Sequence, residues 1–174
     1  NTFKNVFGFN SFRLISFIES LNQTMFSTNP YNICGALNIN AVNFESELKR
    51  AEGKISNGAT CLFTQPIFSQ RNIDNFITAQ NTLNIKIVAG IMPLAGYKNA
   101  LFLNNEVAGI EIPDEIISLL KDKPLEDAKS ICIDFAKNVI DMLKPYCDSF
   151  YIMTPLKKID YSAELVKYIR PLAK

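Results

Sequence analysis

The chain has 174 residues, 48% of them hydrophobic and 20% charged, with a formal net charge of +1 and no histidine. That is enough for one globular domain with a real core. It gives no electrostatic basis for a nucleic-acid partner, contains no apolar run near the roughly 18 residues that cross a bilayer, and removes Ser-His-Asp, Cys-His and imidazole acid/base chemistry.

In chain order, Ser11 can cap a first helix reaching about Leu21, with Leu14, Phe17, Ile18 and Leu21 on one face. Ile33 to Leu37 reads as a short buried strand. Asn43 opens a charge-rich helix that Asn57-Gly58 closes. Thr60 to Thr64 is the second strand, and a helix from Asn72 to Leu83 follows, with Ile73, Phe76 and Ile77 apolar. Ile85 to Met92 is apolar apart from Lys86 and Gly90, the pattern of a strand buried on both faces. A short helix spans Tyr97 to Asn104, another runs from Ile112-Pro113 to Leu120, and Pro124 opens the longest, to about Leu143. Phe150 to Thr154 is the last strand, and Asp160 caps a final helix through Leu165 and Ile169.

Strands alternating with helices imply a parallel sheet. Four strong strands fall short of the eight that close a barrel, so the expected fold is α/β, the carboxyl-terminal half of a (β/α)8 TIM barrel. A small open α/β sheet is the alternative. Neither GxGxxG nor GxxxxGK[ST] occurs, which argues against Rossmann and P-loop folds. Residues 1–174 read as one domain, expected to be a piece of a larger barrel, because the chain does not begin with Met. The opening NTFKNVFGFN lacks a signal-peptide layout, so a cytoplasmic setting is expected. Cys34, Cys61, Cys132 and Cys147 form no CxxC pair and are expected to be buried free thiols; their spacing without histidine does not suit zinc.

Side chains at the carboxyl ends of parallel barrel strands converge on one pocket, which draws attention to Thr64-Gln65-Pro66. The Gln65 carboxamide both donates and accepts, so it can read a pterin, a flavin edge or a nicotinamide amide; a turn glutamine bonded to backbone is the alternative. Lys54, near the end of its helix, is either a solvated lysine favoured there or a cofactor-phosphate contact. Glu47 and Arg50 share that ambiguity, Glu47 being able to accept from ribose hydroxyls. Asn38 either binds ligand or shapes a turn. Asn99 and Leu103, four apart on the helix after Gly90-Ile91-Met92-Pro93, either border a pocket or pack in the core. Lys157 follows the last strand at the same mouth.

Taken together, Lys54-x3-Gly58-Ala59, Thr64-Gln65-Pro66, Gly90-Ile91-Met92-Pro93 and Ile112-Pro113 resemble the methylenetetrahydrofolate reductase family in order and approximate spacing, over nearly the whole chain. Thr64-Gln65-Pro66, Leu103 to Pro113 and Tyr151 to Pro155 resemble most the members fused behind a homocysteine methyltransferase domain. The resemblance implies a flavoprotein barrel of one-carbon metabolism in which NADH or NADPH reduces FAD, and the flavin reduces 5,10-methylenetetrahydrofolate to 5-methyltetrahydrofolate. By the same resemblance Gln65 contacts folate and nicotinamide, and Lys54 holds the FAD phosphates with Glu47 and Arg50 beside it. Phe9, Asn10 and Asn38 touch FAD. Asn99 stands where other members have a folate-contacting glutamine, Leu103 replaces a phenylalanine that packs on substrate, and Lys157 replaces an arginine, losing the planar fork.

The family's general-acid glutamate and flavin-tuning aspartate have no counterpart in this sequence. The chain is therefore expected to be inactive alone and to need the amino-terminal half of the barrel, with self-association into a homo-oligomer as another way to cover its sheet. The alternatives are a non-catalytic half barrel that binds folate or flavin or serves in assembly, and a pterin-binding barrel without flavin.

Overall fold

The computed structural model describes residues 8–170. Four strands, β1 (Cys34–Leu37), β2 (Cys61–Pro66), β3 (Lys86–Ile91) and β4 (Phe150–Ile152), form one parallel sheet in the order β1-β2-β3-β4. Every strand lies beside its successor and the order never reverses. Barrels are wound in this way, whereas a doubly wound sheet switches direction.

Seven helices accompany the strands among the described residues: α1 (Ser11–Gln23), α2 (Phe44–Ser56), α3 (Gln70–Thr82), α4 (Tyr97–Glu106), α5 (Asp114–Leu120), α6 (Leu125–Leu143) and α7 (Ile159–Ile169). The apolar residues facing them are completely or nearly completely buried: Leu37 on β1, Leu62 on β2, and Ile87, Ala89 and Ile91 on β3. Against these lie Ala51 of α2, Phe76 and Ala79 of α3, and Ala136, Val139 and Ile140 of α6. α6 repeats its apolar residues at helical spacing and so buries one stripe along its length. A smaller cluster of Ile15, Ile33 and Ala59 ties α1 to the start of β1.

Alternation along β1 leaves its opposite face open, and the opening closes toward β3, where Val88 is buried. Cys34 and Ala36 are exposed while Gly35 and Leu37 are buried. Strand register places Cys61 and Phe63 beside Cys34 and Ala36, and Lys86 and Val88 beside Cys61 and Phe63. β1 also has a free edge. Ile33 accepts from Thr60 of the β2 side at 2.8 Å, so the intervening carbonyls of Cys34 and Ala36 point away from the ladder.

Three expectations about detail change. Asn10, not Ser11, caps α1, its Oδ1 accepting from the Arg13 N–H at 2.9 Å. Asp160 does not cap α7, which follows Lys158 without a side-chain cap; its carboxylate instead takes the Lys129 ammonium at 2.7 Å. The four cysteines are free, but only Cys132 is fully buried. Cys34 is exposed because alternation turns it to the uncovered face, and Cys61 and Cys147 are half-buried.

Candidate active site

β2 extends two residues further than its hydrophobic pattern suggests, through Gln65 and Pro66. Phe63 pairs with Val88 and Pro66 with Gly90, so three steps on β2 match two on β3. This bulge is where Gln65 sits, and a bulge re-aims a side chain. Thr64 holds it. Its buried hydroxyl accepts from the Gly90 N–H at 2.9 Å and donates to the Gln65 carbonyl at 2.8 Å. Tyr151, in β4, donates its phenolic hydroxyl to the Thr64 carbonyl and sets its ring edge-on to Phe63, 5.2 Å between centroids. Burial raises the Tyr151 pKa above the usual phenol value, so the group remains a donor at neutral pH.

The clamp also explains Gly90. A Cβ there would lie 2.8 Å from the Gln65 carbonyl oxygen and 3.0 Å from both the Gln65 carbonyl carbon and the Thr64 oxygen. Within this frame the Gln65 side-chain oxygen is buried and has no hydrogen-bond partner. A turn glutamine would need a protein donor for that oxygen, and none of the described residues supplies one. An orphaned buried acceptor is costly; a turn of the carboxamide toward the rim would bring it within reach of the ring N–H and amino donors of a pterin, or of a carboxamide NH2.

Asn99 and Leu103 do come together. With Met92, Phe102, Thr154 and Leu156 they line a largely apolar pocket of about 490 Å3 between α4 and the turn after β4. Met92 follows β3 and Thr154 follows β4, so the pocket opens on the same rim of the sheet as Gln65. The Asn99 carbonyl accepts from Ala95 at 2.9 Å, which fixes the side chain and leaves its amino end for a ligand. Lys157 is exposed one residue past the lining, on a turn where Leu156 and Lys157 both take left-handed backbone, φ 42° and 65°. Non-glycine residues there are uncommon.

At the carboxyl end of β1, Asn38, Glu47, Arg50 and Lys54 meet. The buried Glu47 carboxylate accepts from the Asn38 backbone N–H at 3.1 Å and pairs with Lys54 at 3.5 Å and Arg50 at 3.6 Å. Lys54, buried like Glu47, passes its stem over Gly35 and donates its ammonium to the Ala36 carbonyl on the free edge. It is not a solvated lysine. Two cations against one carboxylate leave positive charge in surplus, and the exposed Arg50 carries it. That donor set fits a phosphate through Arg50; Lys54 would first have to release Ala36. Phe9 and Asn10 line a different cleft, with Arg13, Phe17 and Asn57, between α1 and the end of α2.

Thr64, Gly90 and Tyr151 lie inside the segments that the sequence marks, but residue type alone assigns them no functional role. Their roles rest on strand register, which neighbouring residue types do not encode. Among the described residues, no group of acidic, thiol or imidazole side chains could hold a metal ion, and no helix is long and apolar enough to cross a membrane.

A family model described as "Methylenetetrahydrofolate reductase" matches residues 10–170. The matched span includes all four strands and every described element of the rim.

Proposed function

The chain belongs to the methylenetetrahydrofolate reductase family, and from that premise we propose that its sheet supplies the folate-facing part of a flavin-dependent reductase site. Membership makes the parent protein an oxidoreductase. The finer reading is that it converts 5,10-methylenetetrahydrofolate to 5-methyltetrahydrofolate, with NADH or NADPH as electron donor and FAD as the carrier. The observation that carries this reading is the unpartnered Gln65 oxygen, held by Thr64, Gly90 and Tyr151 on the same rim as an apolar pocket.

Gln65 binds and orients the pterin ring through hydrogen bonds at its edge. Leu103, Phe102 and Met92 give the substrate a dry wall. Asn99 offers its amino end, and Lys157 stands beside the pocket mouth, where a folate carboxylate would meet it as a point charge. Arg50 supplies the accessible cation for the FAD phosphates, with Asn38 beside it; Phe9 and Asn10 reach the flavin only if their cleft is continuous with that surface. When bound, FAD supplies the hydride chemistry that these side chains lack.

The pocket lining holds Lys98 but no carboxylate; in this account a carboxylic acid from the rest of the assembled barrel is the proton donor. The chain alone is therefore inactive in this account, and complementary strands cover its open face and free β1 edge.

The reading is tested in the assembled, FAD-loaded enzyme by stopped-flow flavin absorbance, following flavin reduction by NADH and its reoxidation by methylenetetrahydrofolate separately. Gln65→Ala is expected to slow reoxidation roughly tenfold to a hundredfold, the loss of one or two hydrogen bonds to a buried substrate. FAD content should not change. Unaltered reoxidation would remove Gln65, and with it the folate assignment of this rim.

A further inference from the structure

The two thiols of Cys34 and Cys61 face each other across neighbouring strands, and no role in the reductase reading uses them. They are register partners on β1 and β2, which puts both side chains on the same face of the sheet. Adjacent strands lie about 4.8 Å apart and disulfide-linked Cα atoms usually lie about 4.4–6.8 Å apart, so the strand spacing falls within the range that a disulfide spans. The two sulfurs differ in environment. Cys34 is exposed and borders an apolar cavity of about 530 Å3 between α1 and the start of β1, with Leu14, Ile18, Tyr31 and Ile33 on its walls. Cys61 is half-buried, and burial pushes its thiol up to about 11. The neighbouring Cys34 adds to that rise, while Lys86 opposes it.

We propose that Cys34 and Cys61 form a reversible modification site, an attacking and a resolving thiol that close a cross-strand disulfide by exchange with a small-molecule disulfide. The Cys34 thiolate attacks one sulfur of the reagent, forming a mixed disulfide and releasing one reagent thiolate. Cys61 then gives up its proton to solvent and attacks the Cys34 sulfur. The Cys34–Cys61 bond forms and the second reagent thiolate leaves. The two protein thiols are oxidised by two electrons in total, and the reagent disulfide is reduced to two thiols. Redox-sensitive pairs set a reactive thiol beside a resolving one; here the exposure of Cys34 makes it the attacking member.

The bond would tie the start of β1 to the start of β2 across α2, the helix that carries Glu47, Arg50 and Lys54. The pair sits at the amino-terminal ends of the strands, at the opposite end of the sheet from Gln65, so the reagent does not pass through the folate pocket. Strands that cover this face would withdraw Cys34 from solvent, so the reaction belongs to the open sheet.

The test is incubation of the chain with oxidised glutathione, then alkylation with iodoacetamide and peptide mass spectrometry without reduction. The expected result is a linked Cys34–Cys61 peptide pair and loss of alkylation at both positions, while Cys132, fully buried, is labelled only after denaturation. Cys61→Ser should stop at glutathione attached to residue 34, and Cys34→Ser should give no link. Alkylation of both residues in wild type after prolonged exposure to oxidised glutathione would overturn the proposal, as would a link through Cys132 or Cys147. The readout is independent of folate reduction, so its failure and the failure of the reductase reading are separate results.

Discussion

Gly90→Ala is expected to unfold at a markedly lower temperature than the wild type and to lose folate binding with it. The added methyl group meets backbone on every side: the Gln65 carbonyl oxygen at 2.8 Å, its carbon at 3.0 Å and the Thr64 oxygen at 3.0 Å. No flexible side chain can move aside, so β2 and β3 must separate at the bulge. Overpacking of this kind costs about 1–3 kcal/mol, which in a domain of this size lowers the melting temperature by roughly 2–12 °C. Separation also breaks the bond from Gly90 to the Thr64 hydroxyl and moves Gln65. Thr64→Val provides the comparison: it leaves the Gly90 N–H buried and unpaired at a cost of about 1–3 kcal/mol, whereas Thr64→Ser keeps the hydroxyl and should behave nearly as wild type. Calorimetry of the three variants checks the order. A Gly90→Ala melting temperature equal to wild type would mean that the bulge is not the rigid frame described.

Removing Lys54 is expected to destabilise the fold by about 1–3 kcal/mol even without cofactor, because it leaves the buried Glu47 carboxylate with only the exposed Arg50 and strips the Ala36 carbonyl of its donor. Its side chain and that of Glu47 are 7% and 11% exposed, and its ammonium also satisfies the Ala36 carbonyl on the free edge. The stem packs over Gly35, so Lys54→Met should fare better than Lys54→Ala. Lys54→Met combined with Glu47→Gln should recover part of the loss, since the carboxylate that needed neutralising is gone while an acceptor remains for Asn38. Denaturant midpoints for the two single variants and the pair give the coupling directly. If Lys54 instead serves only to meet a cofactor phosphate, stability without cofactor stays within about 0.5 kcal/mol of wild type and only FAD affinity falls.

Much of the fold was legible because the strands announce themselves. Leu62, Ile87 and Ile91 sit in short apolar runs, and Asn43 and Asn57-Gly58 mark the ends of α2 in the usual way. The caps of α1 and α7 misled because Ser11 and Asp160 are good capping types one or two positions from the actual boundary; the backbone, not the residue type, decides which of several polar neighbours faces the free N–H groups. Burial of the cysteines misled for a different reason. Apolar surroundings in sequence do not say which face of a sheet is covered, and Cys34 alternates onto the uncovered one.

At the site, composition and spacing drew attention to Gln65, Asn99 and Leu103, but only register could reveal what holds Gln65. The extra residue between Phe63 and Pro66 relative to β3 is invisible in a hydrophobic pattern, and so is a bond from Tyr151 to a carbonyl 87 positions away. Lys54 illustrates the converse. Its position near a helix end suggested solvent or a phosphate, whereas packing of α2 across Gly35 turns it into the sheet. The absence of a side chain at Gly35 gives the lysine stem its path, a three-dimensional consequence that neither residue reveals alone.

The most direct test is NADH-dependent formation of 5-methyltetrahydrofolate by the 174-residue chain with FAD, alone and after assembly with the complementary half of the barrel. No product from the chain alone and product from the assembly, reduced by Gln65→Ala, is the predicted result. Turnover by the chain alone, or an FAD-loaded assembly that makes no product, would contradict the account.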